Sequence, residues 1–191
     1  MIGIIFGPPG SGKGTQAARI EQEFGLKHLS TGDILRHEVA AGTTVGKEAA
    51  RIMAAGDLVP DQLIVDIVRR RLPEAETGAG VLLDGFPRTL TQAQALDRML
   101  ADEGHRVDLV VALEVPEAEL VDRILHRAQV EGRADDTRAA IAERMHEYHK
   151  LTEAVLNYYR RQEVPVVAVD GTGSPDEVFE RIRRAIGISS R

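Results

Sequence analysis

The most chemically pointed stretch of the chain is Gly7-Pro8-Pro9-Gly10-Ser11-Gly12-Lys13. Glycines let a backbone wrap so that successive N–H groups converge on an anion, and a helix starting at the same spot adds its positive end. A lysine closing such a loop supplies a mobile point charge for terminal phosphates. The segment follows the apolar run 2–6 and precedes a helical pattern over 14–24, the strand–turn–helix setting that the G-x-x-x-x-G-K spacing requires. The competing reading is a glycine-rich turn that binds nothing. One position departs from the general pattern: Lys13 is followed by Gly14 and only then by Thr15. The hydroxyl that ordinarily touches Mg2+ is thus displaced, and the metal is expected to be held mainly by phosphate oxygens and water.

A second cluster, Leu83-Asp84-Gly85-Phe86-Pro87-Arg88, falls at the end of another apolar run, the carboxyl edge where open α/β sheets bind ligands. Asp84 is suited to orient waters on Mg2+, and Arg88 to clamp a phosphate through two parallel hydrogen bonds. As isolated residues they read equally well as a salt bridge capping a turn. Phosphoryl transfer asks a protein for a donor cradle, a separate acceptor site and cations over the moving group. The sequence holds candidates for all three.

The elements that must position these groups follow from periodicity. Short apolar runs at 2–6, 27–29, 81–83, 109–113 and 166–169 suit strands buried on both faces, and helical patterns such as 91–103, 117–129 and 135–162 separate them. Strand alternating with helix implies parallel pairing and a three-layer α/β sandwich. Thr31 before Gly32-Asp33-Ile34-Leu35 is a candidate N-cap, as is Ser174 with Pro175 at N1 and Glu177 at N3. Two segments break the alternation. Between 31 and 73 about three helical patterns run without a strand, predicting an inserted helical lobe. Between 127 and 133 the helical period lapses at Gln129-Val130-Glu131-Gly132, predicting a short mobile connection or an ordinary surface loop.

With 191 residues, 24 basic against 30 acidic side chains and a net charge of −6, the chain reads as one domain without general attraction to nucleic acid. Positive charge for an anionic ligand must therefore be concentrated locally. The absence of cysteine excludes disulfides and thiolate zinc sites and fits a reducing compartment. No apolar run approaches the roughly 20 residues of a membrane span, and no basic leader precedes the first one, so neither signal peptide nor anchor is expected.

Four blocks carry a family resemblance: GPPGSGKGT from Gly7 to Thr15, LSTGDILR from Leu29 to Arg36, DGFPR from Asp84 to Arg88, and VDGT from Val169 to Thr172. In this order and spacing they closely resemble adenylate kinase, from Met1 to about Ile186. The resemblance implies a single P-loop domain over 1–191, with a parallel five-stranded sheet, a helical AMP-binding lobe at 30–59 and a short lid at 127–137. It implies that Gly10, Ser11, Gly12, Lys13, Gly14 and Thr15 bind the ATP phosphates, Lys13 reaching the transferred group. Thr31 and Arg36 would contact AMP, the stretch Asp57, Leu58 and Val59 would line its base, and Gly85, Phe86, Pro87 and Arg88 would continue its site. Gln92 would read the adenine edge, for which an amide offers a donor and an acceptor in one plane. Arg123 and Arg127 match two arginines sent onto ATP, four residues apart and so on one helix face. Arg133 and Arg144 match the pair gripping the phosphates from the other side. Gly173 matches the backbone position that accepts from the ATP adenine.

In the longer form of the family an extended lid, sometimes holding zinc through cysteines, separates the positions matching Arg127 and Arg133. Only Ala128-Gln129-Val130-Glu131-Gly132 lies there in this chain, which resembles the short-lid form without structural zinc. The expected activity is ATP + AMP ⇌ 2 ADP with Mg2+ on the donor and Asp84 touching it through water. The expected enzyme is a cytoplasmic monomer whose partners are ATP, AMP and ADP, with no nucleic acid and no membrane. A UMP or CMP kinase is the second reading, against which stand Thr31, Gln92 and Thr89-Leu90-Thr91; a non-catalytic nucleotide-binding module is the third. Elsewhere, Arg69-Arg70-Arg71, Arg160-Arg161 and Arg183-Arg184 read as solvated helix faces. His146 and His149 fall one residue short of the H-E-x-x-H spacing and read as a helical surface pair.

Overall fold

The structure is a computed structural model and describes residues 1–75, 78–131 and 137–186. Its elements are β1 (Ile2–Phe6), α1 (Lys13–Phe24), β2 (Lys27–Ser30), α2 (Thr31–Ala40), α3 (Thr44–Ala55), α4 (Asp61–Ala75) and β3 (Val81–Asp84). There follow α5 (Leu90–Asp102), β4 (Leu109–Glu114), α6 (Glu117–Glu131), α7 (Arg138–Arg161), β5 (Val166–Asp170) and α8 (Pro175–Ala185). All pairings are parallel, in the order β2-β3-β1-β4-β5. Parallel neighbours need crossover connections, and the resulting helices cover both faces of the sheet.

Strand alternation divides the core. Ile2, Ile4 and Phe6 of β1 join Leu83, Leu96, Leu100, Val110 and Tyr159 on one face. Ile5 turns to the other face with Ala17, Ile20, Leu82, Val111, Phe179 and Ile182. This is the expected three-layer sandwich with five parallel strands. A smaller cluster of Leu120, Ile124, Ile141 and Met145 ties α6 to α7. The three consecutive helices between β2 and β3 are α2, α3 and α4, and no helix among the described residues is long and apolar enough to cross a membrane.

Several local expectations are corrected. Four strands run one residue further than their apolar stretches, taking in Ser30, Asp84, Glu114 and Asp170. The backbone ladder continues past the last apolar side chain because ladder bonds do not depend on side-chain polarity. The cap of α2 is Ser30, whose Oγ accepts from the Asp33 N–H at 3.2 Å, and Thr31 is the first helical residue. The buried Thr31 hydroxyl is engaged instead with the Gly85 carbonyl, to which it donates at 3.0 Å. Helix α6 also persists to Glu131, through the stretch where the period lapses. Apolar spacing reports which face is buried; near its end α6 leaves the core, and Val130 is 70% exposed. The rest of the connection expected at 127–133 lies outside the described residues. The cap at Ser174 is as expected, a full capping box with Glu177 and Pro175 in the first turn.

Candidate active site

Strand register brings the two sequence clusters together. Ile5 pairs with Asp84, which on its other side pairs with Ser30, so the loops leaving β1, β2 and β3 open at one level of the carboxyl edge. Between them and α6–α7 lies a cleft of about 870 Å³.

The glycine loop forms one wall. Gly10 has φ +81°, and a Cβ there would fall 2.7 Å from Ile124 Cγ1 and 2.9 Å from the Leu120 carbonyl oxygen, so only glycine lets the loop lie against α6. Gly12, also left-handed, precedes α1 and gives it no side-chain cap. By contrast α2, α3, α5, α7 and α8 are each capped by a serine or threonine hydroxyl. The first-turn N–H groups of α1 thus have no side-chain oxygen competing for them. Ser11 Oγ is buried on the cleft wall without a hydrogen-bond partner among the described residues. A phosphate oxygen fits both features.

Lys13 is half-buried and donates to the carbonyls of Gly7 at 2.6 Å and Pro8 at 2.9 Å. Burial pulls its pKa from 10.5 down to about 8; Asp84 opposes that shift, while Arg88, Arg127 and Arg144 reinforce it. Those groups therefore lie within electrostatic reach of one ammonium. Arg88 donates from Nε to the Gly85 carbonyl at 2.9 Å, which fixes its fork in the cleft. Its pKa too is lowered, by burial first, then by Arg144 and Arg36 against the pull of Asp84. Arg123 reaches the Gly171 carbonyl at 3.1 Å and Glu119 at 3.0 Å, and Arg36 is ion-paired with Asp33. In a chain of net charge −6, Lys13, Arg36, Arg88, Arg123, Arg127 and Arg144 all line this one cleft.

The cleft wall includes Gly10, Ser11, Gly12, Lys13, Gly14, Thr15, Arg123, Arg127 and Gly173 from the expected donor side. From the expected acceptor side it includes Thr31, Arg36, Asp57, Leu58, Val59, Gly85, Phe86, Pro87, Arg88, Gln92 and Arg144, with Asp84 between the two sets. Arg133 and the neighbouring lid residues 132–136 lie outside the described residues. His146 and His149 are exposed, as a surface pair should be.

Three groups escaped the sequence reading. His28 Nε2 lies 3.2 Å from Asp84 Oδ2 and both side chains are largely buried. Tyr148 lines the cleft with its hydroxyl pKa pushed up to about 12 by burial, then by Glu114. Asp61 binds Gln92 from behind, Gln92 Nε2 donating to Asp61 Oδ1 at 2.7 Å. Only Asp61 had a visible signal, an acid at the start of a helical pattern, and that signal points to helix capping rather than to a site.

The residues suit a metal that arrives with its ligand. Asp84 is a single carboxylate beside Lys13, and a Cβ on Gly14 would stand 3.9 Å from its Oδ2. No group of three or more His, Cys, Asp or Glu that could hold an ion is present among the described residues.

A parallel sheet whose first strand feeds a glycine cradle, with cations gathered across the cleft from it, defines a P-loop phosphotransferase. The sequence model of the adenylate kinase family matches residues 5–164. The adenylate kinase of Thermus thermophilus is 54% identical over 185 residues, covering 97% of this chain and 96% of that protein. That of Micrococcus luteus is 49% identical over 183 residues, covering 96% and 89%. That of Maricaulis maris is 48% identical over 183 residues, covering 96% and 97%. The chain belongs to the adenylate kinase family.

Proposed function

We propose that the chain transfers the terminal phosphoryl group of ATP to AMP, giving two ADP, by direct in-line displacement between two nucleotides bound in one cleft. The observation that carries this reading is the meeting of Lys13, Arg88, Arg127 and Arg144 beside Asp84, between a glycine cradle on one side and the Thr31–Gln92 wall on the other. A binder of one nucleotide has no use for the second wall.

Gly10 to Thr15 hold the ATP phosphates through backbone N–H groups, and Arg123, Arg127 and the Gly173 carbonyl hold the rest of the donor. Arg36 and Arg88 hold the AMP phosphate, while Asp57, Leu58, Val59 and Gln92 receive its base. Lys13, Arg88, Arg123, Arg127, Arg133 and Arg144 stabilise the charge that spreads over the moving group, the term expected to dominate such catalysis. The acceptor is already a phosphate oxygen, so no strong general base is needed. Mg2+ bound to ATP supplies charge neutralisation across the donor oxygens, and Asp84 is the residue that would hold its waters. The lobe at 30–59 and the lid at 127–137 close over the pair, excluding water that would otherwise hydrolyse ATP. The enzyme works as a cytoplasmic monomer, a compartment with which its lack of cysteine is in keeping.

The test is ADP formation from ATP with AMP, UMP, CMP and GMP in parallel, repeated with EDTA. AMP should be the preferred acceptor and EDTA should abolish turnover. Preference for a pyrimidine would favour a UMP or CMP kinase, and no turnover of any monophosphate at saturating Mg2+ would sink the reading.

A further inference from the structure

A primary amide has two ends of similar shape and opposite polarity. Turned one way, Gln92 offers N–H to the ring acceptor N1 of adenine and C=O to its 6-amino group. Turned the other way, it matches the reversed edge of a 6-oxopurine, where N1–H donates and O6 accepts. Purine choice is then decided by whatever prevents the amide from rotating.

Both ends of Gln92 are held from behind. The Arg88 backbone N–H donates to Oε1 at 2.7 Å, and Nε2 donates to Asp61 Oδ1 at 2.7 Å. The second Asp61 oxygen accepts from Thr89 Oγ1 at 3.0 Å, and Thr89 Oγ1 in turn caps α5 by accepting from the Gln92 N–H at 3.2 Å. Asp61 opens α4, where the helix end favours a negative, acceptor-only side chain. A rotated amide would set oxygen against carboxylate and N–H against N–H, so both contacts oppose rotation. The side chain is 2% exposed and lines the cleft. Its two protein bonds leave one N–H and one lone pair, in a fixed order, for a base.

We propose that Asp61 sets the purine selectivity of the acceptor site, by holding Gln92 in the orientation that matches a 6-aminopurine and opposes a 6-oxopurine. The proposal rests on the reading of this wall as the AMP pocket. Asp61 is a positioning residue: it acts through Gln92 and does not itself line the cleft.

IMP is the discriminating probe, because it reverses the edge of AMP without adding the 2-amino group of GMP. The experiment measures kcat/KM for AMP and for IMP, with ATP as donor, in the wild type, Asp61→Asn and Asp61→Ala. The wild type should prefer AMP by about a hundredfold or more, as sites built around a hydrogen-bond pattern do. Asparagine presents either polarity and alanine presents none, so in both variants the preference should shrink by about tenfold or more while KM for ATP stays within about twofold. A merely structural role would lower AMP and IMP turnover together, and an unchanged ratio overturns the proposal. So does a wild type that accepts IMP within about tenfold of AMP, a result that needs no folded variant. A wild type that phosphorylates no monophosphate overturns the phosphotransfer reading as well, and only that outcome reaches it.

Discussion

Lys13 Nζ lies 2.6 Å from the carbonyl oxygen of Gly7, the residue that opens the loop Lys13 closes. The ammonium is thus stored on its own backbone, in a position where burial and three arginines hold its pKa at about 8.

Phosphates stabilise the charged form, so nucleotide binding should return the proton. At pH 8 to 9, calorimetry in buffers of different ionisation enthalpy should show proton uptake on ATP binding, and kcat/KM for ATP should fall as pH rises through about 8. The sign for stability is opposite to that of a salt-bridged lysine. The unfolded chain holds more protons here between about 8 and 10.5, so this group opposes folding at neutral pH and the opposition fades across that window. Buffer-independent binding heats at pH 8.5 would refute the assignment.

Arg88 should be the most sensitive arginine. Arg88→Ala is expected to lose on the order of 10³-fold in kcat, the scale seen when a charge-stabilising arginine is removed. Arg88→Lys should recover little, since a lysine cannot keep both the Nε bond to Gly85 and a planar fork for phosphate. Turnover of the alanine variant within about tenfold of wild type would reject the role.

Gln92→Leu should raise KM for AMP more than KM for ATP. The structure adds a second expectation, because leucine would strand Asp61 Oδ1 and the Arg88 N–H. Urea unfolding should therefore show a loss of about 1–3 kcal/mol. Equal changes in the two KM values would count against the base-reading role.

Gly46 is where α2 and α3 meet. A Cβ there would fall 2.0 Å from the Glu38 carbonyl oxygen, so Gly46→Ala must push the two helices apart. Thermal melting should report about 1–3 kcal/mol of destabilisation, with KM for AMP rising and KM for ATP nearly unmoved. A variant that melts with the wild type would contradict the packing described.

Legibility followed the range of the interactions. The glycine loop, the alternation of strand with helix and the DGFPR edge were readable because each is written in contiguous residues whose chemistry or periodicity needs neighbours in sequence. The cap of α2 was misplaced by one residue because Ser30 and Thr31 both have the right hydroxyl, and only the tertiary partner of Thr31, the carbonyl of Gly85, separates them. The partners of Gln92 and Asp84 were invisible for the same reason. Asp61 is 31 residues from Gln92, and His28 is 56 from Asp84, joined only by strand register and helix packing. The end of α6 was misjudged because an amphipathic period ceases to inform once a helix leaves the core.

The glycine before α1 has a thermodynamic consequence. Where five other helices finish their first turn with a hydroxyl of their own, this one leaves that task to an anion. Substrate then doubles as a structural part, and melting temperature becomes a titration curve: at a hundred times the dissociation constant, ATP should add about 2.7 kcal/mol. Gly12→Ser would not take that task back, because at φ +91° the residue lies outside the extended backbone from which a serine caps a helix.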